Sequence, residues 1–124
     1  MADTVCVFVV DDDPLIAMTI EHALEDGGFE ARSGNSAADA TILFEQHGDA
    51  CRALITDVNL GPGPKGWDVA REAHARLPDL PVVYVTGDSA HEWTAQGVPN
   101  SILVTKPFVG AQIVTAVTTL LNGG

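Results

Sequence analysis

Asp11, Asp12 and Asp13 stand in a row directly after the apolar residues 5–10, and Asp57 closes the apolar residues 53–56. Thr86 ends a third apolar run and Lys106 follows a fourth. Two ionised carboxylates about 5 Å apart repel by roughly 3 kcal/mol at an effective dielectric of about 20. A crevice that collects such groups therefore favours a bound cation or a retained proton. Magnesium suits it best, because this ion takes oxygen ligands, keeps several waters and pairs one or two carboxylates with a phosphate. Carboxylates, a hydroxyl and an ammonium are also the groups that a transferring phosphoryl group needs around it.

Chemistry of this kind requires that the runs be strands whose ends meet. Residues 5–10 form a continuous Val/Phe-rich run bounded by acids, which reads as a strand covered on both faces. Asp13-Pro14 supplies an N-cap and a proline for the first helical position, and Ile16, Ile20 and Leu24 stripe a helix that Gly27-Gly28 stops. The alternation continues with a strand at 29–32, a helix from the Ser36-x-x-Asp39 cap through His47, and the strand that ends at Asp57. A third helix spans 67–77 with Val69, Ala73 and Leu77 on one face, a fourth strand spans 81–86, and a fifth spans 101–105. Ile113, Ala116, Val117, Leu120 and Leu121 stripe a last helix.

Residues 88–96 hold at most two helical turns, and Gly97 and Pro99 follow, so the fourth helix is predicted to be short or mobile. Alternating βα units with doubly buried strands predict an α/β fold, a doubly wound parallel sheet with ligands outside the carboxyl ends of its strands. Asp11 and Asp12 leave one such end and Asp57 another, so three carboxylates are expected to converge there.

The 124 residues predict one domain, 1–124, with no separate output module. Six Lys+Arg against 17 Asp+Glu give a net charge of −11, which makes nucleic acid and anionic membrane poor partners. Cys6 and Cys51 lack metal-ligand spacing and read as buried reduced thiols, in keeping with a cytoplasmic protein. The four histidines have no metal-binding spacing.

The motifs "VVDDDP", "LITDVNLGPGPKGWDVA", "VVYVTGD" and "VTKPF", in this order over nearly the whole chain, resemble the bacterial response-regulator receiver domain. The resemblance implies a flavodoxin-like (βα)5 fold with strand order 2-1-3-4-5. It implies that Asp57 accepts a phosphoryl group from a phosphohistidine of a sensor kinase or phosphotransfer protein. Asp12 would bind Mg2+ directly, Asp11 would hold a metal-bound water, Asp57 would contribute an oxygen and Asn59 its backbone carbonyl. Thr86 would donate a hydrogen bond to the phosphoryl group, and Lys106, aimed by a cis Lys106-Pro107 bond, would pair with it. The protein would then switch its binding to a downstream protein target, as a monomer or weak homodimer.

Three departures stand out. Leu103 occupies the position three before the lysine where most receivers carry an aromatic residue, so a smaller or rerouted conformational response is expected. The loop from Asp57 to Gly66 is one residue longer than usual. "PVVYVTGD" resembles a divergent form of the Pro-Phe-x-Phe-Ala-Thr-Gly signature of an alphaproteobacterial subgroup.

Other residues have plainer readings. Asp13 is expected to cap its helix, Asp88 either leans over the phosphoryl group or is a solvated loop acid, Trp67 packs in the core, and Trp93 is the better interface candidate. The sparsely charged outer face of the last helix offers a dimerisation surface. The "GPGPKG" loop satisfies a dinucleotide-binding pattern, although Pro62 and Pro64 remove amide donors from it. Asp11-x-Asp13 also fits a haloacid-dehalogenase-type phosphatase with Asp11 as nucleophile. A non-phosphorylated receiver-like adaptor is the alternative function.

Overall fold

The computed structural model describes residues 4–123. Five strands alternate with five helices: β1 Cys6–Val10, α1 Pro14–Asp26, β2 Glu30–Gly34, α2 Ala37–His47, β3 Cys51–Asp57, α3 Gly66–Arg76, β4 Val82–Thr86, α4 Trp93–Gln96, β5 Ser101–Thr105 and α5 Gly110–Gly123. The strands form one parallel sheet in the order β2-β1-β3-β4-β5. This is the doubly wound arrangement that the alternation of elements predicts.

Local chemistry sets the ends of the elements. The Asp13 carboxylate accepts the Leu15 N–H at 2.9 Å, with Pro14 opening α1. Ser36 Oγ accepts the Asp39 N–H at 3.0 Å at the start of α2, while Asp39 accepts the Asn35 N–H at 2.8 Å. Both caps satisfy backbone donors that the first helical turn leaves free.

Strand pleating divides the core in two. Val7, Val9, Ile55 and Val83 face α1 and α5, meeting Ile20, Leu24, Ile113 and Val117. Phe8, Leu54 and Tyr84 face the other side, where α2 and α3 bring Phe44 and Trp67. Phe8 and Phe44 meet edge to face with centroids 5.0 Å apart, and Trp67 lies on Tyr84 at 4.5 Å. Trp67 is thus a core residue, as expected.

Several boundaries differ from the sequence reading. β2 runs from Glu30 to Gly34 rather than 29–32, because the Phe29 N–H donates to Leu24 O at 2.9 Å and is held by the end of α1. Gly34 is tolerated at the far end because it lies against Asp39, where a Cβ would meet the Asp39 Cβ at 2.6 Å. In α1 the buried stripe is Ala17, Ile20 and Leu24, and Ile16 is only half-buried. β3 begins at Cys51, two residues early, with Arg52 accommodated by a register irregularity against β1.

α4 is short, as the sequence predicts: a 3-10 turn at Ala90–Glu92 leads into four α-helical residues. Trp93 is not an outward anchor. It is half-buried against the core, and its Nε1 donates to Ser101 Oγ at 3.0 Å. Leu103 is the register partner of Tyr84 and packs on the same cluster. The aromatic ring near this part of the sheet is therefore on β4 rather than β5.

The Tyr84 hydroxyl accepts the Val98 N–H at 3.1 Å in a buried setting and so anchors the chain between α4 and β5. Tyr84→Phe is expected to lower stability by about 1–3 kcal/mol, since it strands a buried amide donor, as read from the urea midpoint.

Cys6 and Cys51 are both buried and free. Burial pushes the Cys51 thiol up to about 12, a value at which little nucleophilic thiolate is present. No described helix is long and apolar enough to cross a membrane.

Candidate functional site

Parallel pairing puts all carboxyl ends of the strands on one edge, and register decides which of them touch. Val10 pairs with Thr56, so Asp11 and Asp57 leave adjacent strands side by side. Thr86 pairs with Thr105 on the neighbouring β4 and β5, and the Lys106 N–H donates to Thr86 O at 2.8 Å. The peptide bond between Lys106 and Pro107 is cis.

Asp11 and Asp57 are buried, whereas Asp12 is exposed at the mouth. One oxygen from each of the three carboxylates lies within 4.8 Å of the others. Lys106 Nζ donates to Asp57 Oδ2 at 3.3 Å and stands 3.8 Å from Asp11 Oδ2. One ammonium therefore serves two buried acids.

The remaining oxygens of the pair are treated unequally. Asp57 Oδ1 accepts the Asn59 N–H at 3.2 Å and Asp11 Oδ1 accepts the Asp13 N–H at 2.9 Å. Among the described residues, Asp11 Oδ2 is buried without a hydrogen-bond partner. Burial pushes the Asp57 carboxyl up to about 6, the nearby Asp11 charge adds to this, and Lys106 only partly offsets both. Burial likewise raises Asp11, against the Asp13 N–H and Lys106.

An orphaned buried carboxylate oxygen, with two more acids in reach, is a donor set of hard oxygen ligands, and it fits a small divalent cation. Magnesium is accordingly expected to raise the melting temperature of the protein, and Asp11→Asn to abolish most of that rise. Scanning calorimetry with and without the ion would check this, and an equal rise in both proteins would refute it.

Thr86 is fully buried, and its Oγ1 accepts the Ser89 N–H at 3.0 Å. The Asn59 side chain bridges the mouth of the site. Its Nδ2 donates to Asp88 Oδ1 at 2.9 Å and reaches Ser89 Oγ at 3.5 Å, while its Oδ1 accepts from Lys65 Nζ at 3.3 Å. Asp88 is thus an exposed acid tied into the site rather than a freely solvated one.

All of Asp11, Asp12, Asp57, Asn59, Thr86 and Lys106 gather at this one edge. Sequence reasoning missed Ser89, Asn35 and Lys65. Ser89 lies three residues after Thr86, a spacing at which a hydroxyl can hold a backbone amide, so this contact was legible. Asn35, whose Nδ2 donates to Asp11 O at 3.0 Å, and Lys65 had no local signal.

The rival readings lose their footing in the same geometry. The Asp13 carboxylate that a phosphatase-type Asp-x-Asp pair needs is spent on capping α1. The glycine-rich loop does not open directly from its strand, because the buried Val58 and Leu60 intervene.

The response regulator receiver domain model matches residues 7–118. A solved response regulator receiver protein from Sinorhizobium medicae is 38% identical with a TM-score of 0.91, and the alignment covers 97% of this chain and 96% of that one. The C4-dicarboxylate transport transcriptional regulatory protein DctD of Rhizobium meliloti is 31% identical over 87% of this chain and 23% of its own length. The transcriptional regulatory protein FixJ of Azorhizobium caulinodans is 30% identical over 94% of this chain and 55% of its own length. The chain thus spans well under two thirds of either regulator. With the strand order, the acidic edge and these likenesses in agreement, the chain belongs to the family of response regulator receiver domains, the phosphoryl-accepting modules of two-component signalling.

Proposed function

We propose that Asp57 is the phosphoryl acceptor, and that the donor is a phosphohistidine on a kinase or phosphotransfer protein. The observation that carries this reading is the pairing of a buried Asp57 carboxylate with Lys106 Nζ at 3.3 Å, beside an Asp11 Oδ2 that has no hydrogen bond among the described residues and lies 3.8 Å from the same ammonium. An Asp57 oxygen attacks phosphorus in line, the bond from phosphorus to the histidine nitrogen breaks, and the acyl phosphate forms. Lys106 is placed to exchange its carboxylate partner for a phosphoryl oxygen, and the Thr86 hydroxyl to donate to another.

Asp11, Asp12, Asp57 and the Asn59 backbone carbonyl would hold Mg2+, which when bound neutralises charge on the phosphoryl oxygens. Water later cleaves the acyl phosphate and restores Asp57. The chain thus catalyses both its own loading and its own return to the free carboxylate.

Apolar surface beside the site supports docking of a protein donor. Lys106 shares a groove with Ile16, Thr19, Pro107 and Phe108, while Leu15 and Met18 on α1 and Val109 after β5 are exposed. The phosphorylated state would then be read by a downstream protein. Buried reduced thiols and this donor chemistry support a cytoplasmic setting.

Incubation with acetyl phosphate and magnesium, followed by intact mass and borohydride reduction of the acyl phosphate, tests the assignment. A single adduct at Asp57 is expected. An adduct at Asp11 would overturn it, and no adduct with either acetyl phosphate or candidate kinases would favour a non-phosphorylated adaptor.

A further inference from the structure

The chain has two lysines, Lys65 and Lys106, and both converge on the acidic edge. Lys106 belongs to the phosphoryl-accepting reading above, but Lys65 has no part in it. Its backbone is nevertheless held firmly. The Lys65 N–H donates to Asp68 Oδ2 at 3.0 Å, and Lys65 O accepts the Val69 N–H at 3.1 Å. The Gly66 N–H that follows donates to Val58 O at 2.8 Å, which seats Lys65 against the residues just after Asp57.

From this fixed base the exposed side chain reaches across to Asn59 Oδ1 at 3.3 Å. The other end of the same carboxamide donates to Asp88 Oδ1 at 2.9 Å, and Ser89 Oγ donates to that oxygen at 3.3 Å. The Ser89 N–H in turn holds Thr86 Oγ1 at 3.0 Å. A polar strap therefore runs from the α3 N-terminus, over the Asp57 side of the crevice, to the loop after β4. An amide has two distinguishable ends, so a cation on the oxygen side and an acid on the nitrogen side fix which way round Asn59 lies.

We infer that Lys65 is a positioning residue that locks the Asn59 carboxamide across the mouth of the site, and that this lock slows loss of the phosphoryl group from Asp57. The inference rests on Asp57 being the acceptor. In the loss step a water oxygen bonds to phosphorus, the bond from phosphorus to the Asp57 oxygen breaks, and carboxylate, inorganic phosphate and a proton to solvent result. The attacking water must enter on the solvent side of the phosphoryl group, where the strap lies. With Lys65 removed, Asn59 Oδ1 loses its cation, the carboxamide is held only at its nitrogen end by Asp88 and Ser89, and the entrance is less firmly covered.

The test loads the protein with acetyl phosphate and magnesium, removes the donor by rapid desalting and follows the adduct by intact mass. Decay is read as the fraction of each variant's own starting adduct, so loading does not enter. Lys65→Met is expected to shorten the lifetime about fivefold, the kinetic equivalent of one exposed charge-assisted contact. Lys65→Arg is expected to restore it to within about twofold, and Asp88→Asn, which weakens the other end of the strap, to shorten it as well. An unchanged or longer lifetime in Lys65→Met overturns the inference, as does failure of that variant to load while the wild type loads. If the wild type itself takes no adduct at Asp57, the acceptor assignment fails and the inference falls with it.

Discussion

Asp57→Asn is expected to take up no phosphoryl group from acetyl phosphate and, at the same time, to be more stable than the wild type in the absence of divalent cations. The loss of chemistry follows because a carboxamide has no nucleophilic carboxylate oxygen to form the acyl phosphate. The gain in stability follows from the site itself. Asp57 is buried beside Asp11, and its carboxyl is pushed up to about 6, so its charged form is disfavoured in the folded protein.

A group whose folded-state pKa is raised contributes stability that is complete below its unfolded pKa and lost as pH rises through the folded value. The unfolded carboxyl titrates near 3.8, so the wild type loses stability between there and about 6, and the loss is complete above that. Asp57→Asn keeps a neutral group throughout. The variant should therefore exceed the metal-free wild type by on the order of 2–3 kcal/mol at mildly alkaline pH. The two should converge as the pH falls towards 4. Urea denaturation across that range in chelator checks this, and a variant less stable than wild type at alkaline pH would show that Lys106 outweighs the burial and the Asp11 charge.

Gly66→Ala is expected to be among the most damaging single-methyl changes in the protein. A Cβ at Gly66 would overlap the Asp57 carbonyl oxygen, and it would sit 2.9 Å from both the Asp57 carbonyl carbon and the Val58 Cα. These are backbone atoms of the acceptor loop, which cannot rotate away as a side chain would. The expected cost is about 3 kcal/mol or more, with phosphoryl uptake slowed because the displaced segment carries Asp57.

Gly63→Ala is the matched control. Gly63 has a φ of 97° and nothing near its would-be Cβ, so only backbone strain opposes the change. That costs about 1 kcal/mol, and it leaves Asp57 in place. Equal losses in urea midpoint for the two variants would mean that close approach at Gly66 is not the cause.

The same contrast between local and long-range causes separates what the sequence by itself determined from what the tertiary structure decided. The sequence determined the elements and the chemistry at their ends. Asp13-Pro14 and Ser36-x-x-Asp39 start helices because their side chains satisfy nearby amides, and short apolar runs that stop at Asp11, Asp57 and Thr86 are legible as buried strands. A parallel sheet sends all those ends to one edge, so Asp11, Asp12, Asp57, Thr86 and Lys106 were legible as one group before any contact was seen. The short α4 was equally readable from the few residues between Thr86 and Gly97.

Only the tertiary structure decided how those groups share partners. Strand register makes Lys106 serve Asp57 and Asp11 together and leaves Asp11 Oδ2 with no hydrogen bond. It sets Leu103 beside Tyr84 and ties Tyr84 to Val98. A crossover brings Asn35 to Asp11 from 24 residues away, and the path of the single loop between β3 and α3 brings Lys65 back to Asn59 from 6. Such contacts leave no mark in periodicity or capping, because they depend on where distant backbone segments pass one another, and only the packed fold fixes that.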